Sequence, residues 1–381
     1  MFKILAFTAA RSDYDRYYPI LNELFNHKKL QLKIIVGSNH LLKKFGHTKL
    51  LIDNKFKTID LKKKNNIDKK KNIVSNLSKE LVELSKIFLK EKPDALILFG
   101  DRYDMLIGVA AIPFNIPLIH LYGGAVTIGA IDEQVRHSIT KISHLHLVAN
   151  KKYYKRILQL GEEKWRIKII GVPELNYLVK QPIINKKKLS KQLKLDLSTP
   201  TLLSTFHPET LSIDDTVKNL CIMLRAIEKS KLQVIFTYPN ADFKNSEIIK
   251  ILNDFIRKNK RYKLITNASP KLYSNLLRSC VGMIGNSSSG LVESSIFKIP
   301  SLSMGDRQKG KLFYKNVIFL DYKENDILKN LKLIQSKNFL KRIRNIKSEY
   351  HTTQKDRNIS EFVYKSLSNN RLIKKKFIDL L

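Results

Sequence analysis

Cysteine is nearly absent: Cys221 and Cys280 are the only two in 381 residues, too few and too widely spaced for a disulfide framework or a cysteine-based metal site. Glycine (14) and proline (11) are sparse, which excludes collagen-like and low-complexity chains. No apolar run reaches the ~18 residues of a membrane span; the longest, 105–114, stops well short. The opening Met-Phe-Lys-Ile-Leu-Ala-Phe-Thr turns polar at Arg11 and is too brief for a signal peptide. A cytoplasmic protein without disulfides and without membrane contact is expected.

Acidic residues are also scarce, 34 against 70 Lys and Arg, a formal charge of +36. Lysines that neutralise phosphates are the mark of nucleic-acid binders. Here they are spread along the whole chain, and the densest run, 62–71, holds no aromatic residue on which a base could stack. The basic balance therefore reads as a solvated surface that also attracts phosphate-bearing small molecules, not as a nucleic-acid interface.

What is present is alternation. Short β-branched or apolar runs at 3–7, 31–36, 94–99, 117–121, 145–148 and 168–170, then at 201–206, 233–238, 262–265, 282–284, 300–304 and 317–320, predict six strands on each side of residues 171–200. Between them lie helix-period segments: Ile73, Leu77, Leu81, Leu84 and Phe88 recur at three- and four-residue steps, one face of a helix. Such alternation predicts an α/β chain with two Rossmann-like lobes facing a cleft. The expected division is 1–172 for the first lobe, 173–199 for a linker containing Pro173 and Pro182, 200–360 for the second lobe, and 361–381 for a basic C-terminal helix.

In doubly wound sheets the ligand sits beyond the carboxyl ends of the strands, so the residues just after each strand are the place to look for chemistry. After 3–7 come Thr8-Ala9-Ala10-Arg11-Ser12-Asp13, small residues and an arginine suited to an anion. After 94–99 come Gly100-Asp101-Arg102, a carboxylate and a guanidinium side by side; Asp101 serves either as a general base or as a helix cap. After 117–121 come Tyr122-Gly123-Gly124-Ala125 and then Asp132, Glu133, Arg136 and His137 at a helix start; the glycines are expected to let a ligand approach closely. His144 and His146 read as packing residues. The second half offers His207-Pro208-Glu209-Thr210, Tyr238-Pro239-Asn240-Ala241-Asp242, Gly285-Asn286-Ser287-Ser288-Ser289-Gly290 followed by Glu293, and Gly305-Asp306-Arg307-Gln308. Ser287 and Ser288 form a phosphate-binding turn in physical terms. The GxGxxG dinucleotide fingerprint is missing, and no Ser-His-Asp order or metal-ligand spacing emerges. Neither a cofactor nor a metal is expected.

Taken together, these segments, with His137-Ser138-Ile139-Thr140-Lys141 and Gly46-His47-Thr48, resemble the UDP-N-acetylglucosamine 2-epimerase family. The closer likeness is to its hydrolysing branch, which makes N-acetylmannosamine-type sugars for sialic and related nonulosonic acids. The resemblance spans residues 2–320 in matching order. It implies a GT-B type fold with UDP held mainly by the second lobe, and a tendency to homo-oligomers. By residue it implies Arg11, Arg102, Arg136 and Asn240 on phosphate or sugar, Ser287 and Ser288 on the pyrophosphate, Glu293 on the ribose, Arg307 on the diphosphate, and His207 near the leaving group. Asp101, Asp132 and Glu133 are the carboxylates available for proton transfer. The implied reaction expels UDP from C1 with loss of the C2 proton, then adds water to the glycal with a proton returned to the opposite face. Two departures stand out. Ala125 occupies the place of an acid the family usually carries after paired glycines, and 350–360 lacks an Asn-Pro-Tyr-Gly segment. The alternatives are a GT-B glycosyltransferase and a non-catalytic sugar-nucleotide binder, the latter motivated by Ala125.

Overall fold

A computed structural model describes residues 1–42, 47–62, 70–209, 213–239, 245–353 and 358–379. It divides into two units: Met1–Ala125, Ile131–Glu174 and His351–Leu381 form one, Val126–Ala130 and Leu175–Tyr350 the other.

The first unit is built on a seven-stranded parallel sheet of β1 (Phe2–Thr8), β2 (Leu30–Val36), β3 (Lys57–Asp60), β4 (Ala95–Phe99), β5 (Leu118–Leu121), β6 (Leu145–Val148) and β7 (Ile167–Ile169), in the order β3-β2-β1-β4-β5-β6-β7. The central strands are apolar on both faces, β4 and β5 being buried at every residue, as a parallel sheet covered on both sides requires. Its helices are α1 (Arg11–Phe25), α2 (Lys70–Glu91), α3 (Asp132–Ile142) and α4 (Lys151–Gln159). The stripe expected on α2 is real: Leu84 and Phe88 are buried, and Leu77 and Leu81 pack against the same core. The apolar run 105–114 falls in a stretch of 3-10 helix, Tyr103–Phe114, whose Met105, Ile107 and Ala111 enter that core. Six strands were expected here. The seventh, β3, has the sequence Lys-Thr-Ile-Asp and no fully buried residue, so an exposed edge strand carries no apolar run to betray it.

The second unit places α5 (Pro173–Val179) largely, and α6 (Lys186–Leu193) wholly, with a six-stranded parallel sheet. The strands are β8 (Thr201–Thr205), β9 (Gln233–Thr237), β10 (Tyr262–Ile265), β11 (Gly282–Gly285), β12 (Ser301–Met304) and β13 (Val317–Leu320), ordered β10-β9-β8-β11-β12-β13. Helices α7 (Ile213–Ser230), α8 (Asn245–Arg257), α9 (Pro270–Ser279), α10 (Val292–Phe297), α11 (Glu324–Leu333) and α12 (Lys337–Ile343) complete it. Successive strand residues serve opposite cores: Leu202, Val234 and Ile284 lie in one cluster, Leu203, Ile235 and Met283 in the other, the two-residue period of a pleated strand.

Two expected boundaries need correction. Residues 173–199 are not a linker: Leu189, Leu193, Leu195 and Leu197 are buried in the core with Leu203, Ile235 and Met283. Residues 351–360 belong with the first unit, not the second. Likewise 361–381 is not one basic helix; the last helix, α13, is Ile359–Leu367, and the described residues beyond it are non-helical. The physical reasons are hydrogen bonds. Glu23 accepts from the backbone N–H groups of Ile359 (2.6 Å) and Ser360 (3.2 Å), occupying donors that a helix N-terminus leaves open. Fully buried Arg166 donates to the carbonyls of Leu372 (2.8 Å), Arg371 and Lys374 (both 3.2 Å), tying the tail down as a series of turns.

Candidate active site

Each sheet reverses its strand order once, between β1 and β4 in the first and between β8 and β11 in the second. Ligands of doubly wound sheets bind at such switch points; Arg11, Asp101, Arg102, His207, Ser287 and Ser288 follow these four strands, whereas Asp132, Glu133 and Arg136 follow β5 and Arg307 follows β12.

In the first unit, the chain leaves β4 as Gly100-Asp101-Arg102. Gly100 adopts φ +78°, a left-handed value that turns the chain sharply at the strand end. Its carbonyl accepts a 2.8 Å hydrogen bond from His120 Nε2. A carbonyl can only accept, so Nε2 carries the proton and Nδ1 accepts from Thr140 Oγ1 at 3.1 Å. Burial pushes the His120 pKa down to about 3, so the ring is neutral and holds the Gly100 turn from below.

Arg136 organises the acids. Its side chain is fully buried, with Nε 3.0 Å from Asp101 Oδ2, Nη2 also on that oxygen, Nη1 2.6 Å from Glu133 Oε2, and Nη1 2.9 Å from the carbonyl of Ala125. Burial opposes the guanidinium charge, but Asp101 and Glu133 outweigh it and raise its pKa. Glu133 Oε1 also meets His137 Nε2 at 3.0 Å. Arg136 was expected to contact substrate. With no exposed side-chain surface and its donors turned inward, it is instead the strut that orients Asp101 and Glu133. Asp101 keeps 34% of its side chain exposed, so it is held and reachable at once. It is not the cap of the following 3-10 helix, whose N-cap is Arg102. Asp132 and Glu133 open α3 in its first turn.

Arg102 and Arg11 lie near the start of α1. Arg102 Nη2 donates to Asp104 at 3.2 Å, and its Nε lies 3.9 Å from Asp13. Asp13 accepts from the backbone of Ala10 at 3.1 Å; desolvation raises its pKa to about 6 against the pull of Arg102. Arg11 Nε donates to Asp15 at 3.1 Å. Thr8 Oγ1 pairs with His40 Nε2 at 3.1 Å, and His40 Nδ1 with Thr48 at 2.9 Å. Burial, reinforced by Arg102, lowers the His40 pKa to about 4.

The paired glycines do not make room for a ligand, as had been expected. A Cβ at Gly123 would stand 2.8 Å from Thr140 Oγ1 and 3.0 Å from His120 Nδ1, and one at Gly124, φ +75°, 2.6 Å from the carbonyl oxygen of Tyr153. They are glycines because α3 and α4 pack directly on that backbone.

In the second unit, the loops after β8 and β11 are bolted together through Asn286. Its Oδ1 accepts from the His207 backbone at 2.7 Å and its Nδ2 donates to the His207 carbonyl at 2.9 Å. The Asn286 carbonyl accepts from Gln308 Nε2 (2.8 Å) and Arg307 Nη1 (3.4 Å). Gly285, φ +145°, is obligatory: a Cβ there would lie 2.1 Å from the carbonyl oxygen of Thr205. Ser287 caps a 3-10 turn, Ser288–Gly290, accepting from Ser289 N at 3.4 Å. Ser287 and Ser288 remain half-buried, and Glu293 sits in the first turn of α10. Burial, followed by the charges of Arg307 and Lys311, holds the His207 pKa well below its usual value; at neutral pH it is an uncharged ring. Asn240, Thr210, Ala241, Asp242, Gly46 and most of the lysine run 62–71 lie outside the described residues.

Sequence reasoning passed over Glu174, and quoted Asp13 and Tyr122 within strand-end segments without giving them a role. Glu174 follows β7, so the strand-end rule that found the other residues would have found it too. Among the described residues, no group of three or more His, Cys, Asp or Glu side chains could hold a metal ion, and no helix is long and apolar enough to cross a membrane.

A prediction arises from His120. In the unfolded chain it takes up a proton below ~6.5, whereas in the fold it resists protonation until about 3. Stability therefore falls as pH drops through this window, with a slope of up to ~1.4 kcal/mol per pH unit from this one group. His40 acts in the same direction and Asp13, with its raised pKa, in the opposite one. His120→Asn should flatten the decline of the thermal midpoint between pH 6.5 and 4. An unchanged slope would show that His120 is not its source.

The family model described as UDP-N-acetylglucosamine 2-epimerase matches residues 22–364. A Campylobacter jejuni protein, "GDP/UDP-N,N'-diacetylbacillosamine 2-epimerase (hydrolyzing)", is 37% identical over 99% of both chains. The "Polysialic acid biosynthesis protein P7" of Escherichia coli is 32% identical over 92% of this chain and 90% of its own length. Among solved structures, UDP-GlcNAc 2-epimerase from Neisseria meningitidis bound to UDP-GlcNAc superposes with TM-score 0.79 at 15% identity, covering 95% of this chain and 100% of that one.

Proposed function

Because this chain belongs to the UDP-N-acetylglucosamine 2-epimerase family, we propose that it is a hydrolysing 2-epimerase of a nucleotide-activated N-acetylhexosamine. It releases UDP and the manno-configured amino sugar through a glycal. The observation that carries this reading is Asp101: a reachable carboxylate at the switch point of the first sheet, fixed in place by a fully buried arginine. Departure of UDP builds positive charge at C1 and acidifies the C2 proton, which a positioned carboxylate accepts. Glu133, on the same guanidinium, and Asp132 are the neighbouring acids.

In the second unit, Ser287 and Ser288 present hydroxyl groups to the pyrophosphate, Glu293 takes the ribose and Arg307 offsets the diphosphate charge. Uncharged His207 serves the leaving group as a hydrogen-bond partner. Arg11 and Arg102 draw in the phosphate-bearing substrate, helped by the basic surface. Within the substrate class, full-length similarity to a relative named for diacetylbacillosamine favours a diacetamido-trideoxyhexose over N-acetylglucosamine itself, and so a role in sialic or legionaminic-type acid synthesis. Work in the cytoplasm as a homo-oligomer is part of the same proposal.

Incubation with a panel of UDP- and GDP-linked amino sugars in deuterium oxide, followed by NMR, tests this reading. The expected result is free manno-configured sugar deuterated at C2, with UDP. Transfer to an acceptor, or binding without turnover, would overturn it. Ser287→Ala with Ser288→Ala should weaken UDP binding, since each lost hydrogen bond to a charged group costs ~1.5–3 kcal/mol. Unchanged affinity by calorimetry would remove the phosphate turn from the site.

A further inference from the structure

Resting on that reading, we propose that Tyr122 is the second proton-handling group of the reaction, with Glu174 behind it as its positioning partner. Inversion at C2 needs proton transfer on both faces of the ring, and Ala125 offers no acid for the second. Tyr122 is the residue that follows β5, beside the Gly100-Asp101 turn. Phe99 pairs with Leu121 across β4 and β5, so Gly100-Asp101 and Tyr122 leave neighbouring strands at the same level of the sheet.

The backbone at Tyr122 is left-handed, φ +67°. For a bulky side chain this is a costly conformation that persists only where the surroundings over-determine it, and such residues cluster at functional sites. The surroundings are explicit. Tyr122 N–H donates to the Leu147 carbonyl at 2.8 Å, and its Oη donates to Glu174 Oε2 at 2.7 Å. Glu174 Oε1 accepts from Arg16 Nε at 3.0 Å. The Arg16 guanidinium lies 5.7 Å from the centre of the Tyr122 ring and 5.6 Å from that of Phe99. A carboxylate on the phenol can pass a proton back to it, and a cation over the ring stabilises the phenolate left once Tyr122 has given its proton away. A phenol that served packing alone would do so from extended backbone at lower cost.

The step balances. In the first half, the C2–H bond breaks with its proton going to Asp101, and the C1–O bond breaks with its electron pair leaving on UDP. In the second, Tyr122 gives its proton to C2 from the opposite face while water oxygen bonds to C1. The proton that water loses restores the phenol through Glu174, and Asp101 returns its own to solvent.

Removing the phenol's oxygen should therefore separate the two halves. Tyr122→Phe is expected to release UDP within tenfold of the wild-type rate but to form epimerised sugar ~10²-fold more slowly, with free glycal accumulating in the NMR spectrum. Glu174→Gln, which keeps an acceptor for the phenol but cannot relay a proton back to it, should shift the same glycal-to-sugar ratio with KM little changed. Tyr122→Phe that makes sugar within fivefold of wild type without glycal would overturn the proposal alone. So would equal loss of both halves with UDP binding intact. A wild-type chain that releases no UDP from any nucleotide amino sugar would overturn the epimerase reading, and this inference with it.

Discussion

Asp101→Asn should slow release of both UDP and sugar by ~10²–10⁴-fold while the circular dichroism spectrum and UDP affinity stay native. Asparagine keeps the size of the side chain and one oxygen to accept from Arg136, but it cannot take the C2 proton. Both products fall together because the base acts before the glycal forms, which distinguishes this variant from Tyr122→Phe. Near-full rate with native affinity would place the base elsewhere, and Glu133, on the same guanidinium, would be the next group to test.

Arg136→Met should lower stability by ~3 kcal/mol, the low end of the range for breaking a buried ion pair. The low end applies because the carboxylates left behind are 34% and 30% exposed and recover water. For a unit of roughly 200 residues, that corresponds to a thermal midpoint ~6–12 °C lower. Activity should fall as well, since Asp101 and Glu133 lose their common strut. Arg136→Lys restores the charge but not the planar fork that meets Asp101, Glu133 and the Ala125 carbonyl together, so stability should recover more than rate. Full activity in Arg136→Met, measured below its midpoint, would show that the acids need no strut.

The sequence by itself determined the class of fold, because buried parallel strands must be apolar on both faces, and runs such as Ala95–Phe99 and Thr201–Thr205 advertise this. It also indicated where to look for the chemistry, because polar residues after each such strand lie at the carboxyl edge of a doubly wound sheet. Residue types at strand ends are local facts, so Asp101, Glu133, Ser287 and Arg307 were legible as candidates.

Tertiary structure alone decided what those residues touch. The resemblance implied Arg136 on phosphate or sugar; only the packing of α3 on the sheet buries it and turns it toward Asp101. The paired glycines read as space, yet α3 and α4 occupy that space. Residues 173–199 read as a linker because their leucines lack strand or long-helix periodicity, and they became core only when β8, β9 and β11 supplied a surface to bury against. Tyr122 and Glu174, 52 positions apart, show no relation in the chain. Their hydrogen bond exists because β5 and β7 end on the same edge of one sheet.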